Sequence, residues 1–283
     1  MIGLSTTYYA TKGCSIYDSV LRAVNLGFDV VELGTAHMYE DNAWDVLHKI
    51  KRDFPDSAFS VHNIFPPLKN KTWFNPADDL CSVNKKIIDR LFKTASILGA
   101  LVVSIHPPVL NEISLSGKVA GNFDKPKIGK PKDEEISRKN FTQFIEYINK
   151  RSEEINTRVL IENMSTSFVN TLLSTKDNFL EIFDKFNNIG LLLDVGHALQ
   201  CENLHELLEL NDDIFELHLH DVGDTPERKK WAHLPVKDKL YFEPLKKITN
   251  KNSVLWVFEH GADVFEDEIL GEKKLLEKFL GGA

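Results

Sequence analysis

Histidines and carboxylates recur in this chain at one kind of place, the downstream end of a short apolar, β-branched run. His62 follows Phe59–Val61, His106 follows Leu101–Ile105, and Glu162 follows Val159–Ile161. Asp194 and His197 follow Leu191–Leu193, His218 and His220 close the run Ile214–His220, and Glu259 follows Val254–Phe258. Imidazole nitrogens and carboxylate oxygens are the donors that zinc, manganese, cobalt or iron accept, and enclosing an ion takes several donors from different segments. Glu162, Asp194, His218 and Glu259 would make a ring of four, and three carboxylates with one imidazole suit a hard or borderline divalent cation. His62 and His106 would hold a second ion that shares Glu162. His197 would meet His233, from a later loop, in a third position. The expectation is therefore one to three divalent ions per chain, zinc or manganese foremost.

Such residues can converge only if the segments that carry them end on one face. Strand-like runs at Ile2–Thr7, Asp29–Gly34, Ala58–Asn63, Leu101–His106, Arg158–Asn163, Gly190–Val195, Ile214–His220 and Val254–His260 alternate with amphipathic helical patterns from end to end. The helical stretches are Ser15–Leu26, Asn42–Asp53, Asp79–Leu98, Glu134–Arg151, Lys176–Phe186, Leu204–Leu210, Phe242–Ile248 and Glu266–Phe279. Glycine follows two of them, at Leu26-Gly27 and Leu98-Gly99, as a left-handed helix cap would require. Strict alternation of strand and helix predicts a parallel sheet, and eight such units in 283 residues predict a single-domain (β/α)8 barrel over residues 1–283. Chemistry in that fold gathers at the C-terminal ends of the strands. Period-two alternation in Phe215–His220 sets Glu216, His218 and His220 on one face, toward the barrel mouth.

Two connections exceed what the barrel needs. Pro107–Lys132, with Gly117, Gly121, Pro126, Gly129 and Pro131, reads as a loop after the fourth strand, and Asp221–Lys239 follows the seventh and carries His233. Both are expected over the catalytic face, the first as a lid. His48 and His205 fall inside helical patterns and are expected at the surface. His37 follows the second strand near Glu32, where it would line the mouth, whereas His260 has the opposite parity to Glu259 and should point outward. Phe65, Trp73, Phe74 and Trp231 lie on loops of the same face, where aromatic rings stack on sugars or bases.

A formal net charge of −8 argues against a broad basic surface for nucleic acid. It leaves local grooves possible at Lys69–Lys71, Lys118–Lys132 and Arg228–Lys230. Cys14, Cys81 and Cys201 are widely spaced and form no CxxC pair, so neither a disulfide framework nor a thiolate zinc site is expected. The opening MIGLSTTYYATKG has no basic segment followed by a sustained apolar one, and no window reaches membrane-span length. These features lead to the expectation of a cytoplasmic protein with no membrane partner.

In the order Val61-His62, Ile105-His106-Pro107, Leu160-Ile161-Glu162-Asn163, Asp194-Val195-Gly196-His197, His218-Leu219-His220-Asp221, His233-Leu234-Pro235 and Phe258-Glu259, the chain resembles the xylose isomerase-like TIM-barrel superfamily. That superfamily includes sugar isomerases and epimerases as well as the endonuclease IV nucleases. The resemblance implies that Glu162, Asp194, His218 and Glu259 form the shared metal centre, and that His62, His106, His197 and His233 correspond to the further ligands of the trinuclear nucleases. It also implies an isomerase or epimerase acting on a small sugar or polyhydroxylated carbonyl compound. Glu162 and Glu259 would exchange the proton as ligands that also act as bases, and His197 would orient the substrate. The alternative is an endonuclease IV-like phosphodiesterase acting on abasic DNA, the one reading with a nucleic acid partner. Against it, the carboxylate those nucleases carry two residues before the loop histidine is Trp231 here, so a third ion would need Asp221 or Asp224 instead.

Overall fold

A computed structural model describes residues 1–69, 73–116, 125–165, 169–224 and 231–281. Eight parallel strands close into a barrel: β1 (Ile2–Ser5), β2 (Val30–Leu33), β3 (Ala58–His62), β4 (Val102–Ile105), β5 (Arg158–Glu162), β6 (Ile189–Asp194), β7 (Ile214–Leu219) and β8 (Leu255–Phe258). Each pairs with its neighbours in sequence, and β8 closes on β1 through Ile2–Trp256 and Gly3–Val257.

Alternation along the strands divides the core in two. Val30, Val102, Leu160, Leu192, Leu255 and Val257 form the apolar filling of the barrel interior. Their neighbours one position away, such as Val31, Val103, Ile161, Leu191 and Phe258, join the larger core between barrel and helices. Counting on by two from the interior set gives Glu32, Ser104, Glu162, Asp194 and Glu259, so the period that buries the apolar layer also lifts a polar layer above it. Gly3 belongs to the interior, where an added Cβ would lie 3.0 Å from the Val30 Cβ.

The helices mostly start and stop where local chemistry directs. Ser15 and Thr175 accept backbone N–H bonds from Asp18 and Asn178 at the starts of Ile16–Asn25 and Lys176–Phe183. Gly27 (φ 76°) and Gly99 (φ 64°) take the left-handed conformation expected of them. Several connections differ from the sequence reading. The stretch expected as a helix at Phe242–Ile248 is a pair of 3-10 turns, Lys239–Phe242 and Pro244–Lys247, because Pro244 has no N–H to continue a helix through that point. A short helix, Val195–Gln200, begins directly at the end of β6, since the Asp194 carboxylate accepts the His197 N–H at 2.6 Å and caps it.

The segment expected as a loop at 107–132 contains two antiparallel paired strands, Asn111–Ser116 and Lys125–Pro131; residues 117–124 lie outside the described residues. Ile113 and Leu115 alternate with polar residues in the first strand, a period-two signal that the glycines and prolines outweighed in the sequence reading. Asn75 holds its base, donating to Val109 O (2.8 Å) and accepting from Val109 N (2.9 Å). The segment at 221–239 likewise pairs Asp221–Gly223 with Trp231–Leu234. No helix among the described residues is long and apolar enough to cross a membrane.

Candidate metal centre

Strand register alone brings the ligand candidates side by side. His62 is paired with Ser104, Asp194 with His218, and the ladder continues past β8 as Glu259 N–H donates to Leu219 O (3.3 Å). Glu162, Asp194 and His218 converge, each offering a donor atom within 4.8 Å of the others. Glu259 joins them through Oε2, 3.4 Å from His218 Nδ1. Two buried atoms in this group, Glu162 Oε2 and His218 Nδ1, have no hydrogen-bond partner. Leaving buried polar atoms unpaired is costly, and here both point into a cluster of oxygen and nitrogen donors, which is the arrangement an ion completes. The donor set fits a divalent cation.

His218 is prepared for that role from below. Its Nε2 lies 2.8 Å from Glu32 Oε2, so Nε2–H donates to the carboxylate and Nδ1 is the atom that would face an ion. Glu32 and Glu216 are both fully buried in the barrel interior, the latter bonded at 2.8 Å by the Ser60 hydroxyl. Burial, reinforced by the Glu32 charge, raises the Glu216 carboxyl to about 8. Sequence reasoning gave neither carboxylate a part in the site, although the inward parity of Glu216 was legible.

A second group lies beside the first. His62 Nε2 stands 3.2 Å from His106 Nε2, and both are 3.5 Å from Glu162 Oε2. His62 Nδ1 is bonded to Ser104 Oγ (2.9 Å) and His106 Nδ1 contacts the Asn63 carboxamide (2.9 Å). Burial pushes His106 down to about 4, keeping a lone pair available at neutral pH.

A third gathering joins His197 and His233 with His220, which sequence reasoning placed near the site without assigning it a role. His197 Nδ1 lies 3.1 Å from Asn163 O, 3.2 Å from Glu162 Oε1 and 3.3 Å from Asp194 Oδ2. Burial opposes a charged imidazolium there, yet Asp194 and then Glu162 raise His197 to about 10. In turn, burial of Asp194 is outweighed by the charge of His197 and the contacts from His220, which hold its carboxyl well below the usual range. His233 adopts φ 61° and bonds through Nδ1 to Glu259 O (3.1 Å). Asp221, a candidate to replace the carboxylate missing at 231, accepts from Val222 N–H at 2.8 Å.

The remaining candidates divide cleanly. Trp73 packs its ring against His106, 5.8 Å between centroids, and so stands beside the second group. His37 is buried against Phe65 and bonded to Thr6 Oγ1 at 2.9 Å. Phe74 instead packs on Phe144 in the core. His48 and His205 are exposed. His260 points away from the mouth, as its parity requires, and is buried against Glu272 (2.9 Å) with Nδ1 3.4 Å from His233 O. Residues 70–72, 118–124 and 225–230, which carry much of the three basic stretches, lie outside the described residues, as does the Trp231 side chain.

Residues 20–263 match the family described as xylose isomerase-like TIM barrel. The fold is similar to a solved D-tagatose 3-epimerase-like protein (TM-score 0.69, 19% identity, 99% of this chain and 97% of that one). It is also similar to D-psicose 3-epimerase solved in the presence of D-fructose (0.67, 15%, 100% and 99%) and to an IolI protein with a bound zinc atom (0.67, 17%, 99% and 98%). A 114-residue stretch is 29% identical to an uncharacterized protein of Methanocaldococcus jannaschii, spanning 40% of this chain and 42% of that protein.

Proposed function

Because the chain belongs to the xylose isomerase-like TIM-barrel family, we propose that it is a divalent-metal-dependent isomerase or epimerase acting on a small sugar or polyhydroxylated carbonyl compound. The observation that carries this reading is the convergence of Glu162, Asp194, His218 and Glu259 from β5 to β8, with Glu162 Oε2 and His218 Nδ1 buried without a hydrogen bond. These four would hold the ion, zinc or manganese. When bound, it would supply Lewis-acid polarisation of adjacent carbonyl and hydroxyl oxygens. Glu162 and Glu259 reach the mouth from different strands, so one removes a proton from the carbon next to the carbonyl and the other returns one from the opposite side. His197 and His233 have their Nδ1 atoms tied to backbone carbonyls, so Nε2 is the atom each offers to a substrate hydroxyl. The Trp73 indole beside His106 supplies a wall for the apolar face of a sugar ring. The solved epimerases of similar fold support this choice of chemistry.

The second group, His62, His106 and Glu162, favours one other reading, a phosphodiesterase in which two ions share Glu162. The discriminating experiment incubates purified protein with zinc or manganese and a panel of ketoses in deuterium oxide. Isomerase or epimerase chemistry incorporates deuterium at the carbon adjacent to the carbonyl. Metal-dependent incision of abasic duplex DNA without any such exchange would replace this reading with the hydrolytic one.

A further inference from the structure

Just beyond β7, two residues past His218, stands a second buried histidine. His220 is fully buried, and its Nε2 is 3.0 Å from both oxygens of Asp194. Its Nδ1 accepts the backbone N–H of His233 at 3.0 Å. A neutral imidazole has one N–H and one lone pair. With the lone pair of Nδ1 committed to a backbone donor, the proton resides on Nε2 and is donated to Asp194. The contrast with His106 is instructive: the Asn63 carboxamide can turn and present its oxygen, but a backbone N–H cannot become an acceptor.

The ring also fills space. Its centroid is 4.2 Å from that of His233 and 5.7 Å from that of His197, and it approaches the Val195–Gln200 helix so closely that a Cβ at Gly196 would fall 1.9 Å from its Cε1. The Tyr241 hydroxyl donates to His220 O (3.0 Å), fixing the backbone that carries it. We propose that His220 is a positioning residue that stands, as an Nε2–H imidazole, among Asp194, His197 and His233 where a third ion would have to bind, tying the strand that carries His233 to Asp194. His260, itself bonded to Glu272, braces the same strand from its other side. His197 and His233 are thus set toward substrate, and the described residues leave room for two ion positions rather than three.

This rests on the reading of Asp194 as a metal ligand, and the test separates the two ideas. Protein labelled with nitrogen-15 in histidine is compared by NMR without metal and after saturation with zinc, and zinc per chain is measured by elemental analysis. The expected result is an Nε2–H tautomer for His220 in both states with no more than two zinc ions per chain. His220→Asn, checked by circular dichroism to be folded, should bind zinc at least about 10-fold more weakly. An Nδ1–H tautomer in the metal-free protein, a ligand shift of His220 Nε2 on zinc loading, a third zinc, or unchanged affinity in a folded variant would overturn the proposal. Failure to take up any zinc would refute the metal reading, while the metal-free spectrum would still decide the tautomer.

Discussion

Removing the Glu32 carboxylate should weaken metal binding although Glu32 is not expected to touch the ion. Glu32 is fully buried and accepts the His218 Nε2–H at 2.8 Å, which fixes both the ring orientation and the tautomer that leaves Nδ1 available. Loss of such a supporting carboxylate costs about 10- to 100-fold in metal affinity, or about 1.4–2.7 kcal/mol. In Glu32→Ala the His218 donor is also left unpaired in a buried site, which costs a further ~1–3 kcal/mol of folding stability. Glu32→Gln keeps a carbonyl oxygen able to accept the bond and removes the negative charge that presses on Glu216, so its stability should stay close to wild type while affinity falls toward the lower end of the range. Zinc affinity by chelator competition and stability of the metal-free protein by urea unfolding give the two readouts. If both variants bind zinc as tightly as wild type, His218 is not held for ligation by Glu32 and the reasoning fails.

Gly196→Ala should destabilise the protein by about 1–3 kcal/mol, because the new methyl would meet the His220 ring at 1.9 Å; thermal unfolding measures it, and an unchanged melting temperature would count against the packing described. The metal-free protein should be more stable at pH 6.5 than at pH 8.5. His197, raised from 6.5 to about 10, contributes stability present below pH 6.5 and lost as pH climbs toward 10, and Glu216, raised from 4.5 to about 8, contributes stability present below pH 4.5 and lost by pH 8, because the unfolded carboxyl ionises first. Urea midpoints across that interval that rise with pH would contradict both assignments. Glu162→Gln and Glu259→Gln should each slow deuterium exchange into a turned-over ketose by at least ~100-fold, since each removes one of the two proton-transferring carboxylates. Exchange at the wild-type rate in either variant would exclude that residue as a base.

The barrel was legible because one period served two purposes. The alternation that buries Val30, Leu160 and Leu192 also sets Glu32, Glu162 and Asp194 on the inward face, so apolar runs ending in His, Asp or Glu pointed both to the strands and to the candidate site. The supporting carboxylates were harder to see. Glu32 earns its place by a bond to His218 across the barrel interior, 186 residues away in the chain, and no spacing rule links two strands that do not pair. His220 was hidden for a different reason: its role depends on a backbone N–H of His233, delivered by a strand residue whose left-handed conformation carries no glycine signal. The strand pair within 107–132 was missed because the prolines and glycines there read as loop chemistry, although Ile113 and Leu115 carry the alternation of a strand.

The most direct measurement is an anomalous-scattering crystal structure of the protein grown with zinc, with diffraction recorded on both sides of the zinc absorption edge. A peak about 2.0–2.2 Å from carboxylate oxygens of Glu162, Asp194 and Glu259 and from Nδ1 of His218 is the result predicted here. A structure with no peak in the mouth, or with zinc bound only elsewhere on the molecule, would contradict the account.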